Sequence, residues 1–182
     1  MREHGILKRV LLAYEEIIRR IQGNQDFPAQ AVAEGTTIIR KFIEDYHEKL
    51  EEDHLFPRFR KAGKLVDLVN TLQVQHQAGR RLTDRISALS SSLKTPDDRK
   101  HLAADLVAFN RMYAPHEARE DTVLFPELHR IVSPHEYDAL GEQFESIERR
   151  TFGGDGFDIY VDKVAALEKQ LGIHDLNQFT PK

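Results

Sequence analysis

The chain contains no cysteine. That excludes disulfides, thiolate-bound zinc, iron–sulfur clusters and a thiol nucleophile, so any metal must be held by nitrogen and oxygen. Long apolar runs are missing too. Nothing approaches the roughly 20 residues needed to span a bilayer, and no membrane association is expected. Nor is there an excess of positive charge. Lysine and arginine number 26 against 30 aspartates and glutamates, a formal net charge of −4. Nucleic-acid binding ordinarily wants a basic face, so no such partner is expected. No signal-peptide pattern opens the chain, because Met1 leads straight into Arg2 and Glu3. A cytoplasmic protein is expected, with an export segment upstream of this numbering left open. What remains is an ordinary globular composition over 182 residues, 40% apolar and 31% charged, with nine histidines. That length allows one domain with a sizeable core.

One pattern is written twice. His47 to Pro57 reads HEKLEEDHLFP, and His116 to Pro126 reads HEAREDTVLFP. Each copy opens on His-Glu, places a glutamate four residues after the histidine (Glu51, Glu120) and closes on Leu-Phe-Pro. Residues four apart on a helix share a face, so each copy aims one imidazole and one carboxylate in the same direction. Upstream of each copy lies a further histidine at similar distance: His4 is 43 residues before His47, and His76 is 40 before His116.

Apolar periodicity places these residues on four long helices. The first runs from Arg2 to about Gln22, with Leu7, Leu11, Tyr14, Ile18 and Ile21 at three- and four-residue steps behind His4. The second is expected from about Pro28 to Phe56, where Pro57 and the Lys61–Lys64 stretch break it. The third spans about Leu65 to Leu93 and carries His76. The fourth spans about Asp97 to Phe125, with Thr95 and Asp98 as a start signal and a proline kink expected at Pro115, just before His116. Short loops make this an all-α, up-down-up-down four-helix bundle over residues 1–126. Residues 127–182 form an additional C-terminal helical segment packed on the bundle. Its helices are expected from Ser133 to about Phe152 and from Asp158 to Leu171, ahead of an extended tail from Gly172 to Lys182.

A helix pair repeated in this way packs best about a pseudo-twofold axis, each half offering two histidines and one carboxylate to a shared centre. Four imidazoles and two carboxylates exceed what one ion takes from a protein. They suit two ions about 3.5–4 Å apart, bridged by both carboxylates. Imidazole with carboxylate fits iron, manganese or zinc. The carboxylates also offset part of the cost of moving two divalent cations out of water.

With His4, His47-x-x-x-Glu51, His76 and His116-x-x-x-Glu120 in this order on four helices, the chain resembles the hemerythrin family, in particular the bacterial proteins with an HHE cation-binding domain. The resemblance covers about Met1 to Pro126. It implies a non-heme centre of two iron ions, oxo- or hydroxo-bridged, with both carboxylates bridging. His4 and His47 would serve one iron, and His76 and His116 the other. Oxygen carriers of this family place a third histidine one turn after the ligand matching His76. Arg80 stands there in this chain, and Lys8 at the symmetric position. The resemblance therefore implies two histidines per iron and open positions for dioxygen, nitric oxide or peroxide, with Arg80 and Lys8 as outer candidates. Both also have a plain reading as ion pairs with Glu44, Glu48 or Glu117. The rival ferritin-like bundle uses Glu-x-x-His, the reverse of the order here.

Three functions follow from the resemblance: a carrier or sensor of a small diatomic ligand or peroxide, a di-iron oxidase or peroxide-consuming enzyme, and iron handling or repair. Members that repair iron–sulfur centres characteristically have N-terminal cysteines, which this chain lacks. A protein partner or a homodimer is left open. His54 has no counterpart in the second copy and is expected at an edge or surface. His101, His129 and His135 should be solvated. His174 is weighed as a residue that folds back over the site. Glu15, three turns after His4, is expected to be buried with a partner or to line a route to the centre. The paired Leu-Phe-Pro closings are expected to pack, to stop their helices and to keep water out.

Overall fold

The computed structural model of the protein describes residues 2–181, and among these it is a helical bundle with no strand. Helix α1 (Arg2–Gln22) buries Ile6, Leu7, Val10, Leu11, Tyr14, Ile17 and Ile18 on one stripe. Helix α2 covers residues 29–62 after Pro28, whose extended backbone precedes the first turn. Gly63, with φ 63°, ends it: its N–H reaches the Arg60 carbonyl and that of Lys64 reaches Phe59, the left-handed cap that glycine adopts without a Cβ penalty. Helix α3 (Val66–Ser90) returns, and α4 covers residues 96–131. Thr95 and Asp98 make a full capping box at its start, Thr95 Oγ1 accepting from the Asp98 N–H at 3.1 Å and Asp98 Oδ2 from the Thr95 N–H at 2.8 Å.

These four helices pack as sequential neighbours, α1 also closing against α4. Helix α5 (Pro134–Phe152), capped by Ser133, lays Leu140 and Phe144 over Leu55 and Leu128 at one end of the bundle. Helix α6 (Gly156–Leu171) lies against α1 and α2. It buries Tyr160, Val164, Leu167 and Leu171 in the bundle's own core and stacks Tyr160 on Phe42 at 4.5 Å. Arg9 ties it to α1 through two bonds to Glu168, at 2.7 and 2.6 Å. The tail is not uniformly extended: Leu176–Phe179 forms a 3-10 turn. Lys182, the last residue of that expected tail, lies outside the described residues.

The Leu-Phe-Pro closings do not stop their helices. Helix α2 runs through Pro57 to Ala62, and α4 through Pro126 to Ile131. Each proline follows a π-helical turn, Glu51–Leu55 or Glu120–Leu124, that ends with the Phe56 N–H on the Glu51 carbonyl or the Phe125 N–H on the Glu120 carbonyl. A proline ring clashes with the carbonyl four residues back in an α-helix; the wider turn draws that carbonyl clear. Pro115 lies within α-helix from Pro96 to Arg119 and does not interrupt it. A further π-helical stretch, Ile39–His47, leads into the first copy of the repeat.

Gly79 on α3 leaves no room for a side chain. A Cβ built there would stand 2.0 Å from the Tyr113 hydroxyl oxygen and 2.7 Å from its ring carbon. Tyr113 is fully buried and donates to Glu48 Oε1 at 2.7 Å, so it has nowhere to move. Gly79→Ala should therefore destabilise the protein by about 1–3 kcal/mol, the usual cost of overpacking, checked by thermal or urea unfolding. Unchanged stability would show that Tyr113 can relocate.

Candidate metal centre

The six predicted donors converge. His4 comes from α1, His47 and Glu51 from α2, His76 from α3, and His116 and Glu120 from α4, and all six are buried. They form a polar layer between two apolar clusters, one running through Ile6, Ile43, Leu82 and Tyr113 and the other through Leu55, Phe56, Leu72 and Leu124. Phe56 stacks on His76 at 5.5 Å, and Phe125 lies 5.7 Å from His4. The repeated closings thus cover the histidine rings themselves.

The donor atoms fall into two groups, each with its atoms within 4.8 Å of one another: His4, His47, Glu51 and Glu120, and His76, His116 and Glu120. The Nε2 atoms of His4 and His47 face each other at 3.0 Å. Glu120 reaches both groups, Oε2 standing 3.4 Å from His4 Nε2 and Oε1 3.1 Å from His116 Nε2. Glu51 does the same at longer range, 3.7 Å to His47 Nε2 and 3.5 Å to His76 Nε2. Both Glu51 oxygens and His76 Nε2 are buried without a hydrogen-bond partner. Buried acceptors left unpaired are costly, and a shared cation at this point would satisfy them.

The outer nitrogens bear on the same chemistry. His4 Nδ1 meets Asp121 Oδ1 at 2.9 Å, His76 Nδ1 meets Glu52 Oε1 at 3.0 Å, and His116 Nδ1 meets Gln75 Oε1 at 2.8 Å. An imidazole that donates through Nδ1 presents the Nε2 lone pair inward, the tautomer a metal ligand needs. Glu52, Asp121 and Gln75 escaped the sequence reading, although each adjoins a predicted donor in chain order. A charged residue on a helix surface reads as solvated unless the partner helix is known.

Arg80 forms ion pairs with Glu48 Oε2 and Glu52 Oε1, both at 2.8 Å, and Lys8 lies 3.7 Å from Glu117. Arg80 fills the space among Glu48, Glu52 and His76, a third group of potential ligands. Burial pushes the Glu52 carboxyl up, but the bonds from His76 and Arg80 outweigh it and hold it at about 2. Burial drives His47 well below the ordinary histidine value. It also raises Glu51 well above the usual carboxylate range, with Glu120 adding to the shift. For Glu120, burial is overcome by the close approach of His116 and His4, and its carboxyl titrates below the ordinary value.

The remaining candidates lie elsewhere. His54 is half-buried beside Phe144, and His101, His129 and His135 are exposed. His174 does not fold over the centre; it pairs with Glu168 of α6 at 3.1 Å. Glu15 is exposed, at the rim of a surface groove with Leu12 and Ile173, because its step along α1 drifts off the buried stripe.

A helical bundle with a buried layer of imidazoles and carboxylates defines a metal-binding helical protein. Comparison agrees: the model of the hemerythrin HHE cation-binding domain matches residues 1–128 and again 67–176. The chain belongs to the hemerythrin HHE cation-binding domain family. It is 53% identical over 183 residues to the uncharacterised proteins Rv1995 of Mycobacterium tuberculosis and Mb2018 of Mycobacterium bovis, covering all of this chain and 72% of each relative. No solved structure matches significantly.

Proposed function

We propose that the protein binds two iron ions in this layer and uses them to bind dioxygen or a related small ligand, nitric oxide or peroxide, as a carrier or sensor. The observation that carries the reading is the placement of Glu120, whose two oxygens each approach the Nε2 of a histidine from a different group. That is what a carboxylate shared by two ions requires. His4 and His47 would hold one ion and His76 and His116 the other, with Glu51 and Glu120 common to both. Bound iron would supply reversible electron exchange with a small ligand. The chain's own part is to orient the imidazoles through Asp121, Glu52 and Gln75 and to exclude water with Phe56 and Phe125.

A second reading, an oxidase or peroxide-consuming enzyme, is favoured by Arg80 and Lys8. Both are engaged with carboxylates, so neither adds a ligand to the six donors. Loading with ferrous iron under argon, then adding dioxygen and later peroxide, separates the two by absorption. A spectrum that reverses when the gas is removed is the expected result. Irreversible conversion with sustained peroxide loss would favour the enzyme. Failure of the parent to take up two equivalents of iron, manganese or zinc would sink both.

A further inference from the structure

The two halves repeat several contacts around the centre. His76 Nδ1 meets Glu52 as His4 Nδ1 meets Asp121. Arg80 pairs with Glu48 as Lys8 pairs with Glu117. Phe56 covers His76 as Phe125 covers His4. Among the outer imidazole nitrogens, one contact has no counterpart. His116 Nδ1 is held by Gln75, the residue immediately before His76. The equivalent pair in the first half is His47 with Glu3, the residue immediately before His4. His47 Nδ1 instead lies buried with no hydrogen-bond partner, and Glu3 Oε1 sits 3.8 Å from Arg2 Nε.

We propose that Glu3 is the positioning residue for His47, its carboxylate turning from Arg2 to accept the His47 Nδ1–H when the His4–His47 group takes up an ion. The proposal rests on the two-ion reading above. Ligation commits the Nε2 lone pair to the ion and so places a proton on Nδ1, turning an unpaired nitrogen into a buried donor that needs an acceptor. Glu3 has room to respond, since it lines a cavity of about 520 Å³ between α1 and α5, with Tyr46, Phe144 and Glu148. Arg2 need not follow. It is anchored to α5 by two bonds to Glu148, at 3.2 and 2.9 Å, and lies 3.5 Å from Asp155. A carboxylate on this Nδ1, where the other half uses a carboxamide, makes His47 the stronger donor of the pair and the two ion positions unequal.

The test titrates metal-free protein with cobalt(II) under argon and reads the ligand-field absorption as each position fills. Parent protein should take two ions. Glu3→Ala should lower the affinity of one position by about 10–100-fold, the usual effect of losing an outer partner, and leave the other unchanged. Glu3→Gln should stay within a few-fold of the parent, because an amide oxygen also accepts, as Gln75 does. In zinc-loaded parent protein, nitrogen-15 spectra should show a slowly exchanging Nδ1 proton on His47 close to the Glu3 side chain; this measurement needs no variant. Parental affinity at both positions in Glu3→Ala, a loss in Glu3→Gln as large as in Glu3→Ala, or a freely exchanging His47 Nδ1 proton would each overturn the assignment. A parent that binds fewer than two ions would instead overturn the two-ion reading on which it stands.

Discussion

Glu120→Ala should cost the protein both ions at once. The two oxygens of Glu120 each approach a histidine of a different donor group, so its removal takes a ligand from each ion and the negative charge that would hold them together. The loss should exceed the 10–100-fold that deletion of an outer partner costs. It should also appear in stability. Metal at about 100 times its dissociation constant adds about 2.7 kcal/mol per site. For a chain of this length that raises the melting temperature by about 5–10 °C per ion. Parent protein should show that rise with ferrous iron or zinc, and Glu120→Ala should melt at one temperature with or without metal. Glu120→Gln makes the result specific, since it preserves volume while removing the charge. A Glu120→Ala protein that still holds two equivalents would mean that the layer binds its ions in some other way.

The six donors stood out in the sequence because the chain writes them twice, and repetition at helical spacing is rare among residues that only face water. The helices stood out for the same kind of reason, in the apolar steps of Leu7, Leu11, Tyr14 and Ile18 and in the Thr95–Asp98 cap. What escaped reading depends on backbone that departs from the α-helix. Pro57 and Pro126 looked like stops because an α-helix would end there, and only the π turns beginning at Glu51 and Glu120 carry the chain through. Glu52, Asp121 and Gln75 carry no such signal in the sequence, because their partners lie on other helices. The apolar stripe of α6 was legible as a helix but not as part of the bundle's core, since nothing in Tyr160, Val164, Leu167 and Leu171 names α1 and α2 as the faces they bury against.

Metal uptake should release protons, and apparent affinity should climb with pH. The signs follow from the groups that change state. Burial, reinforced by Glu120, raises the Glu51 carboxyl well above 4.5 in the metal-free fold, so between 4.5 and that raised value the folded protein keeps a proton that ligation must expel. His47 contributes the opposite way. Burial lowers it well below 6.5, so it is already neutral at physiological pH and has no proton to lose. The same shifts govern the metal-free fold. Glu51 contributes stability that is full below 4.5 and is lost as pH rises through its folded value. His47 contributes stability that is full above 6.5 and is lost as pH falls toward its own folded value. Between 4.5 and its folded value the Glu51 contribution weakens the metal-free protein as pH rises, while in the metal-loaded protein, with Glu51 ionised against the cations, it should not. The Glu51 share of the gap in melting temperature between the two forms should therefore widen as pH rises through that range. Affinity should rise by about tenfold per pH unit for each proton released. Calorimetric titration with zinc in buffers of different ionisation enthalpy counts those protons directly. Glu51→Gln, which has no proton to give up, should flatten the dependence, and a slope unchanged in that variant would place the released proton on another group.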